Sequence, residues 1–147
     1  MREIFGIKSQ KKEVYFVKIF VNGTFDILHP GHMALLEYAK LQGDYLLVAI
    51  DADRRVKQFK GEIRPINNQN TRKRMLECLK FVDEVKIFDS DESLTNTVKE
   101  YAPDLMIVGS DYRHKKVIGS EHAKELFFFE RDEEYSSTKV IETINSR

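Results

Sequence analysis

The chain has 147 residues, of which 41% are hydrophobic, enough to build one sizeable core and the usual size of one domain. Lysine plus arginine equal aspartate plus glutamate at 24 each, so no bulk field favours nucleic acid or an anionic membrane, and any anion-binding site must be local. The single cysteine, Cys78, excludes an intrachain disulfide, and no apolar run approaches the roughly 20 residues that span a bilayer.

Residues 1–14, MREIFGIKSQKKEV, are charged and without a clear period, and they lack the apolar stretch of a signal peptide. They are expected to form a flexible arm ahead of one domain over residues 15–147, in a soluble, cytoplasmic protein. Tyr15 to Val21 (YFVKIFV) reads as a buried strand closed by a turn at Asn22-Gly23. The pattern from Pro30 to Gln42 predicts a helix, with Leu35, Leu36 and Ala39 on one face, proline at its first position and Gly43 at its stop. Tyr45 to Ile50 is the second strand, and the polar stretch from Asp51 to Asn70 reads as a long loop, the kind that contacts ligands more often than it idles. A helix over Thr71–Leu79 carries Cys78 as a buried small residue; a strand over Glu84–Phe88, a helix over Leu94–Tyr101 and a strand over Asp104–Val108 follow. The last elements are a strand over Leu126–Phe129 and a helix from about Ser136 to Ile144. Five strands alternating with helices predict an α/β domain: a parallel five-stranded sheet, covered on both faces in a three-layer sandwich, with ligands bound beyond the strands' carboxyl ends.

The densest chemistry lies between the first strand and the first helix, in NGTFDILHPGH over residues 22–32. A helix that starts here aims free backbone N–H groups and a positive dipole end at its guest, and phosphate is the natural one. His29 and His32 are three apart, so they share a helix face, while Gly31 between them leaves room for a phosphate to approach. Two imidazoles so placed can hydrogen-bond the oxygens of an α-phosphate as charge develops. Without that context, two histidines at this spacing read as ordinary surface or core residues. Zinc would need more ligands than Cys78, His114 and His122 supply at their spacing, so no metal-binding residues are expected. No G-x-G-x-x-G follows the first strand and no G-x-x-x-x-G-K-[ST] occurs, which removes the main support for a dehydrogenase or a P-loop kinase.

The run GTFDILHPGH resembles the signature of the cytidylyltransferase-like nucleotidyltransferases, whose HxGH element also occurs in class I aminoacyl-tRNA synthetases; 147 residues leave no room for a synthetase's tRNA-binding domains. VKQFKGEIRPIN (56–67), Arg72, VDEV (82–85), VGSDY (108–112) and VIGSE (117–121) resemble the adenylyltransferase domain of bacterial enzymes that make ADP-heptose. The similarity runs from about Val17 to Ile144 and implies a Rossmann-like fold of the nucleotidylyl transferase (HUP) type.

The resemblance further implies that Gly23, Thr24, Phe25, His29, Gly31 and His32 surround a nucleoside triphosphate, with Lys57 or Lys60 reaching over it from the long loop. A solvated charge run is the alternative reading of RRVKQFK (54–60). Arg72, Gly109 and Asp111 join the nucleotide side by the same resemblance, while Asp26, Asp53, Arg64 and Tyr112 fall to the acceptor. Either Asp26 or Asp111 can instead cap a turn. The block from Arg131 to Lys139 is similar to the family's R-x-x-x-G-x-S-T-[ST] element, which implies that Arg131, Ser136, Ser137 and Thr138 hold the leaving pyrophosphate; Glu134 stands where the family commonly has glycine. Mg²⁺ is expected with the triphosphate, held mostly by phosphate oxygens and water. The implied reaction transfers AMP from ATP to a heptose-type sugar 1-phosphate for polysaccharide synthesis, the acceptor being supplied by a separate sugar kinase. A CTP-dependent enzyme using glycerol 3-phosphate or a similar alcohol phosphate and a noncatalytic nucleotide-binding protein remain open beside it. A homodimer is implied, and neither nucleic acid nor membrane is an expected partner.

Overall fold

A computed structural model of the chain describes residues 15–130 and 134–147, so the expected N-terminal arm and Arg131 lie outside the described residues. Five strands, β1 (Lys18–Gly23), β2 (Tyr45–Asp51), β3 (Glu84–Phe88), β4 (Leu105–Gly109) and β5 (Glu125–Phe129), form one sheet in the order β3-β2-β1-β4-β5. Every pair is parallel. This is the doubly wound order expected when helices cross over both faces, and it places the switch point beside β1, where β2 and β4 leave in opposite directions.

The central strands explain their position by composition. Ile19, Phe20 and Val21 of β1 and Leu46 to Ile50 of β2 are all buried, as strands covered on both faces must be. Side chains that alternate along each strand feed two cores. Ile19, Val21, Leu46 and Val48 pack with Leu36 and Ala39 of α1 (Pro30–Leu41) and with Leu76 of α3 (Gln69–Glu77). Phe20, Leu47, Ala49 and Met106 pack on the opposite face with Leu94 and Val98 of α4 (Asp91–Tyr101) and with Val117. The expected sandwich of three layers is what forms.

Several boundaries move for identifiable reasons. β1 starts at Lys18 rather than Tyr15, because the ladder with β2 begins at Lys18 opposite Tyr45, while the Asp44 and Asp104 carboxylates take the Val17 and Lys18 N–H groups at 2.8 Å each. Asn22 and Gly23 are still paired, with Ala49 and Ile50, so the turn begins at Thr24. The first half of the expected long loop is instead α2 (Asp53–Lys60). One apolar residue, Val56, anchors it, Asp53 favours its positive end, and Gly61 stops it at φ +98°. Only residues 61–68 remain loop. The next helix begins at Gln69, since Asn68 caps it by accepting from the Thr71 N–H at 2.9 Å; it ends at Glu77, which leaves Cys78 exposed at the cap rather than buried. α4 starts three residues earlier than its apolar pattern suggests because Ser90 and Ser93 form a reciprocal cap. The last helix, α5 (Ser137–Asn145), is capped by Ser136.

Candidate active site

All five strands end at one cavity of about 530 Å³, as the doubly wound topology requires. The Thr24–His29 segment forms its centre. Phe25 adopts φ +51°, an uncommon conformation for a bulky residue, and its ring lies over Gly23 so closely that a Cβ there would meet it at 3.0 Å. Backbone strain of this kind persists where the surroundings enforce it, and here it sets the Phe25 ring 5.0 Å from the His32 ring.

The two histidines begin α1 in a reciprocal arrangement. His29 is the cap and accepts from the Gly31 N–H through Nδ1 at 3.1 Å, while His32 Nδ1 accepts from the His29 N–H at 3.3 Å. Their rings stack with centroids 3.7 Å apart. Because each Nδ1 is an acceptor, each neutral ring carries its proton on Nε2, so the helix start orders two N–H donors of one tautomer. Gly31 is required by this packing: a Cβ there would stand 2.9 Å from His29 Cε1 and 3.4 Å from Tyr135 Cβ.

A second helix start faces the first. Ser136, Ser137 and Thr138 line the cavity, and Ser137 Oγ donates to the Ile27 carbonyl at 3.0 Å and accepts the Ile27 N–H at 3.3 Å. The serine hydroxyl therefore docks α5 onto the histidine loop, leaving the positive end of the α5 dipole at the cavity. Both helix starts thus present their positive ends to the same cavity.

Of the predicted site residues, Gly23, Thr24, Phe25, Asp26, His29, Gly31, His32, Lys60, Gly109, Asp111, Tyr112, Ser136, Ser137 and Thr138 all line this cavity. Lys60 does so from the last turn of α2, whereas Lys57 donates to the Glu62 carbonyl at 3.1 Å outside the lining. Arg72 is not at the cavity either. It is 1% exposed and ties three segments together, donating to the Asn67 and Thr24 carbonyls at 2.9 Å and to Asp53 Oδ1 at 2.8 Å. Asp53 is therefore Arg72's partner and lies outside the lining. Asp26 lines the cavity, but its two oxygens accept from the Ile66 and Asn67 N–H groups at 2.8 Å each, clasping the 61–68 loop. Arg64 is buried behind that clasp with Nε 3.6 Å from Asp26 Oδ2, outside the lining.

The cavity is also lined by residues that the sequence reading gave no role in the site: Asn22, Asp51, Arg55, Phe88, Lys116 and Tyr135. Asp51 and Phe88 end β2 and β3, so the rule that ligands meet strand ends pointed to them. Arg55 had no such signal while its segment read as loop. Asn22 Oδ1 is buried and, among the described residues, has no hydrogen-bond partner, which costs about 1–3 kcal/mol unless a bound donor satisfies it. Among the described residues there is no cluster of three or more His, Cys, Asp or Glu side chains placed to hold a metal, and no helix is long and apolar enough to cross a membrane.

Known proteins agree with this architecture. The lipopolysaccharide core biosynthesis protein from Thermoplasma volcanium GSS1 has a similar structure, with a TM-score of 0.66 and 28% identity, covering 80% of this chain and 100% of that one. The bifunctional protein HldE of Campylobacter fetus subsp. fetus is 46% identical over 126 residues, 86% of this chain and 27% of that protein. That of Campylobacter concisus is 43% identical over 144 residues, 98% of this chain and 29% of its own length. The chain thus spans about three-tenths of the length of these curated relatives. Residues 20–143 match the cytidylyltransferase-like family, which includes both helix starts and every strand end of the cavity: the chain belongs to that family and is a nucleotidyltransferase.

Proposed function

We propose that the chain transfers AMP from ATP to the phosphate of a heptose-type sugar 1-phosphate, releasing pyrophosphate and giving a nucleotide-activated sugar. The observation that carries this reading is the pair of imidazoles fixed as Nε2–H donors at the start of α1, facing the start of α5 across one cavity. A phosphate oxygen of the acceptor attacks the α-phosphorus in line, and the bond from that phosphorus to the oxygen bridging to the β-phosphate breaks. His29 and His32 donate to α-phosphate oxygens, Lys60 adds positive charge over the developing pentavalent centre, and the α5 start holds the leaving group. No covalent enzyme intermediate is needed. The wall carboxylates Asp26 and Asp51 are held by loop N–H groups and by Arg55, so a Mg²⁺ ion entering with the triphosphate would be held mainly by phosphate oxygens and water and would offset their charge.

The preference for a heptose acceptor and for ATP is supported by the relation to HldE proteins and by the sequence resemblance to the domain that makes ADP-heptose. A panel of ATP, CTP, GTP and UTP crossed with heptose 1-phosphate, hexose 1-phosphates and glycerol 3-phosphate, read by pyrophosphate release, tests it. Fastest turnover is expected with ATP and heptose 1-phosphate. Preferential turnover of CTP with glycerol 3-phosphate overturns the substrate assignment, and nucleotide binding without pyrophosphate release across the panel overturns the reaction.

A further inference from the structure

Arg55 stands in the cavity wall with more of its guanidinium fixed than a surface arginine needs. Its Nε donates to Asp51 Oδ1 at 2.9 Å, as an i,i+4 pair across the end of β2 and the start of α2, and its Nη2 donates to Asp91 Oδ1 at 2.7 Å. The guanidinium carbon stands over two aromatic rings, 5.0 Å from the Phe59 centroid and 5.4 Å from that of Phe88. The side chain is 13% exposed, so the group is both immobilised and partly desolvated. Among the described residues Nη1 has no hydrogen-bond partner. Asp51 is shared in the same way, its Oδ2 accepting from Thr24 Oγ1 at 3.3 Å in the strained loop that ends at the histidines.

Position and charge say what this edge is for. Pyrophosphate leaves toward α5, which follows β5, and an in-line nucleophile must arrive from the opposite side of the α-phosphorus. That side is the part of the cavity over β2 and β3, walled by Asp51, Arg55, Phe88 and Leu94. One guanidinium and one carboxylate leave this wall with no net formal charge, so it offers nothing to offset a second anionic group. A donor edge beside a carboxylate acceptor, with Phe88 adjoining, instead fits adjacent hydroxyls.

We infer that Arg55 and Asp51 form a hydroxyl-reading edge that selects acceptors with a neutral polyhydroxylated body and a single phosphate. The inference rests on the proposed transferase reaction and adds a specificity-determining residue to it. Arg55 contributes two donors in a fixed plane, Asp51 holds that plane and accepts in turn, and Asp91 positions Arg55 from outside the cavity.

Steady-state pyrophosphate release by the full chain separates this from a structural role. Arg55→Gln is expected to raise the KM for heptose 1-phosphate at least tenfold while the KM for ATP and kcat stay within about threefold, as loss of one or two hydrogen bonds to a bound hydroxyl predicts. Arg55→Lys, which keeps the charge without the planar fork, is expected to recover less than half of the loss. The wild type is expected to use glucose 1-phosphate at least tenfold better, by kcat/KM, than glucuronic acid 1-phosphate, which carries a second anion. Should Arg55→Gln fail to fold, Asp91→Asn takes its place, with a two- to fivefold rise in acceptor KM and an unchanged KM for ATP. Unchanged acceptor KM in the folded variant, equal rises in both KM values, or efficient use of glucuronic acid 1-phosphate overturns the inference while leaving the transferase reaction standing. A wild type inactive across the whole substrate panel overturns that reaction and this inference with it.

Discussion

Replacing Arg72 by methionine removes a guanidinium that no solvent reaches and three hydrogen bonds made by it, to the Asn67 and Thr24 carbonyls and to Asp53 Oδ1. Methionine fills similar volume, so the cavity term is small and the loss is one of polar partners left behind. Removing one side of a buried ion pair costs about 3–5 kcal/mol. Asp53 is 32% exposed and can rehydrate, which puts the expected loss at about 3–4 kcal/mol, with the part-buried Thr24 and Asn67 carbonyls supplying most of it. For a chain of this size each kcal/mol moves the unfolding midpoint by about 2–4 °C, so a fall of about 10 °C is expected in a thermal unfolding scan. Below that midpoint the variant should still bind ATP within tenfold of wild type, because Arg72 holds the Thr24 segment from behind rather than touching the nucleotide. An unfolding midpoint within 2 °C of wild type together with lost ATP binding would refute this reasoning and return Arg72 to the nucleotide.

Gly31→Ala drives a methyl group into the His29 ring and is expected to lower kcat by about a hundredfold while the fold is retained, measurable by pyrophosphate release against circular dichroism. Lys60→Ala should lower kcat by about 10²-fold and Lys57→Ala by less than threefold, since only Lys60 faces the cavity; the reverse order would contradict the assignment. At the far end of the sheet, burial raises the pKa of Asp104, yet the Lys18 N–H, the Tyr15 hydroxyl and the Lys124 ammonium more than offset it and hold the carboxyl at about 2. The folded value lies below the unfolded one, so this contribution is present above about pH 4 and is lost as pH falls through about 2. Chemical denaturation at pH 7 and pH 2.5 should show Asp104→Asn removing about 1 kcal/mol of that slope, with solvent screening allowed for.

The sheet was legible because its signal is redundant. Each central strand is a continuous apolar run, each helix carries a stop or a cap, and the alternation of the two permits few topologies. The histidine pair was legible for a related reason: sequence-local geometry at a helix start sets the hydrogen bonds that both Nδ1 atoms accept. What could not be read is whatever depends on distant partners. Arg72 and Lys60 are both basic residues in polar stretches, and only the placement of Asp53, Asn67 and Thr24 around the first makes it a buried strut. Asp26 looks like a ligand until the 61–68 loop folds back to occupy both its oxygens. α2 was missed because DRRVKQFK buries a single apolar residue, too little for a periodic pattern, and Arg55 was hidden with it.

The claim beneath the whole account is that the His29 and His32 rings act directly on the α-phosphate. Turnover of His32→Ala, followed by pyrophosphate release with ATP and heptose 1-phosphate and paired with a thermal unfolding scan, tests it most directly. The account predicts a folded protein with kcat lowered by about 10²–10³-fold. A folded variant that turns over at close to the wild-type rate would contradict it.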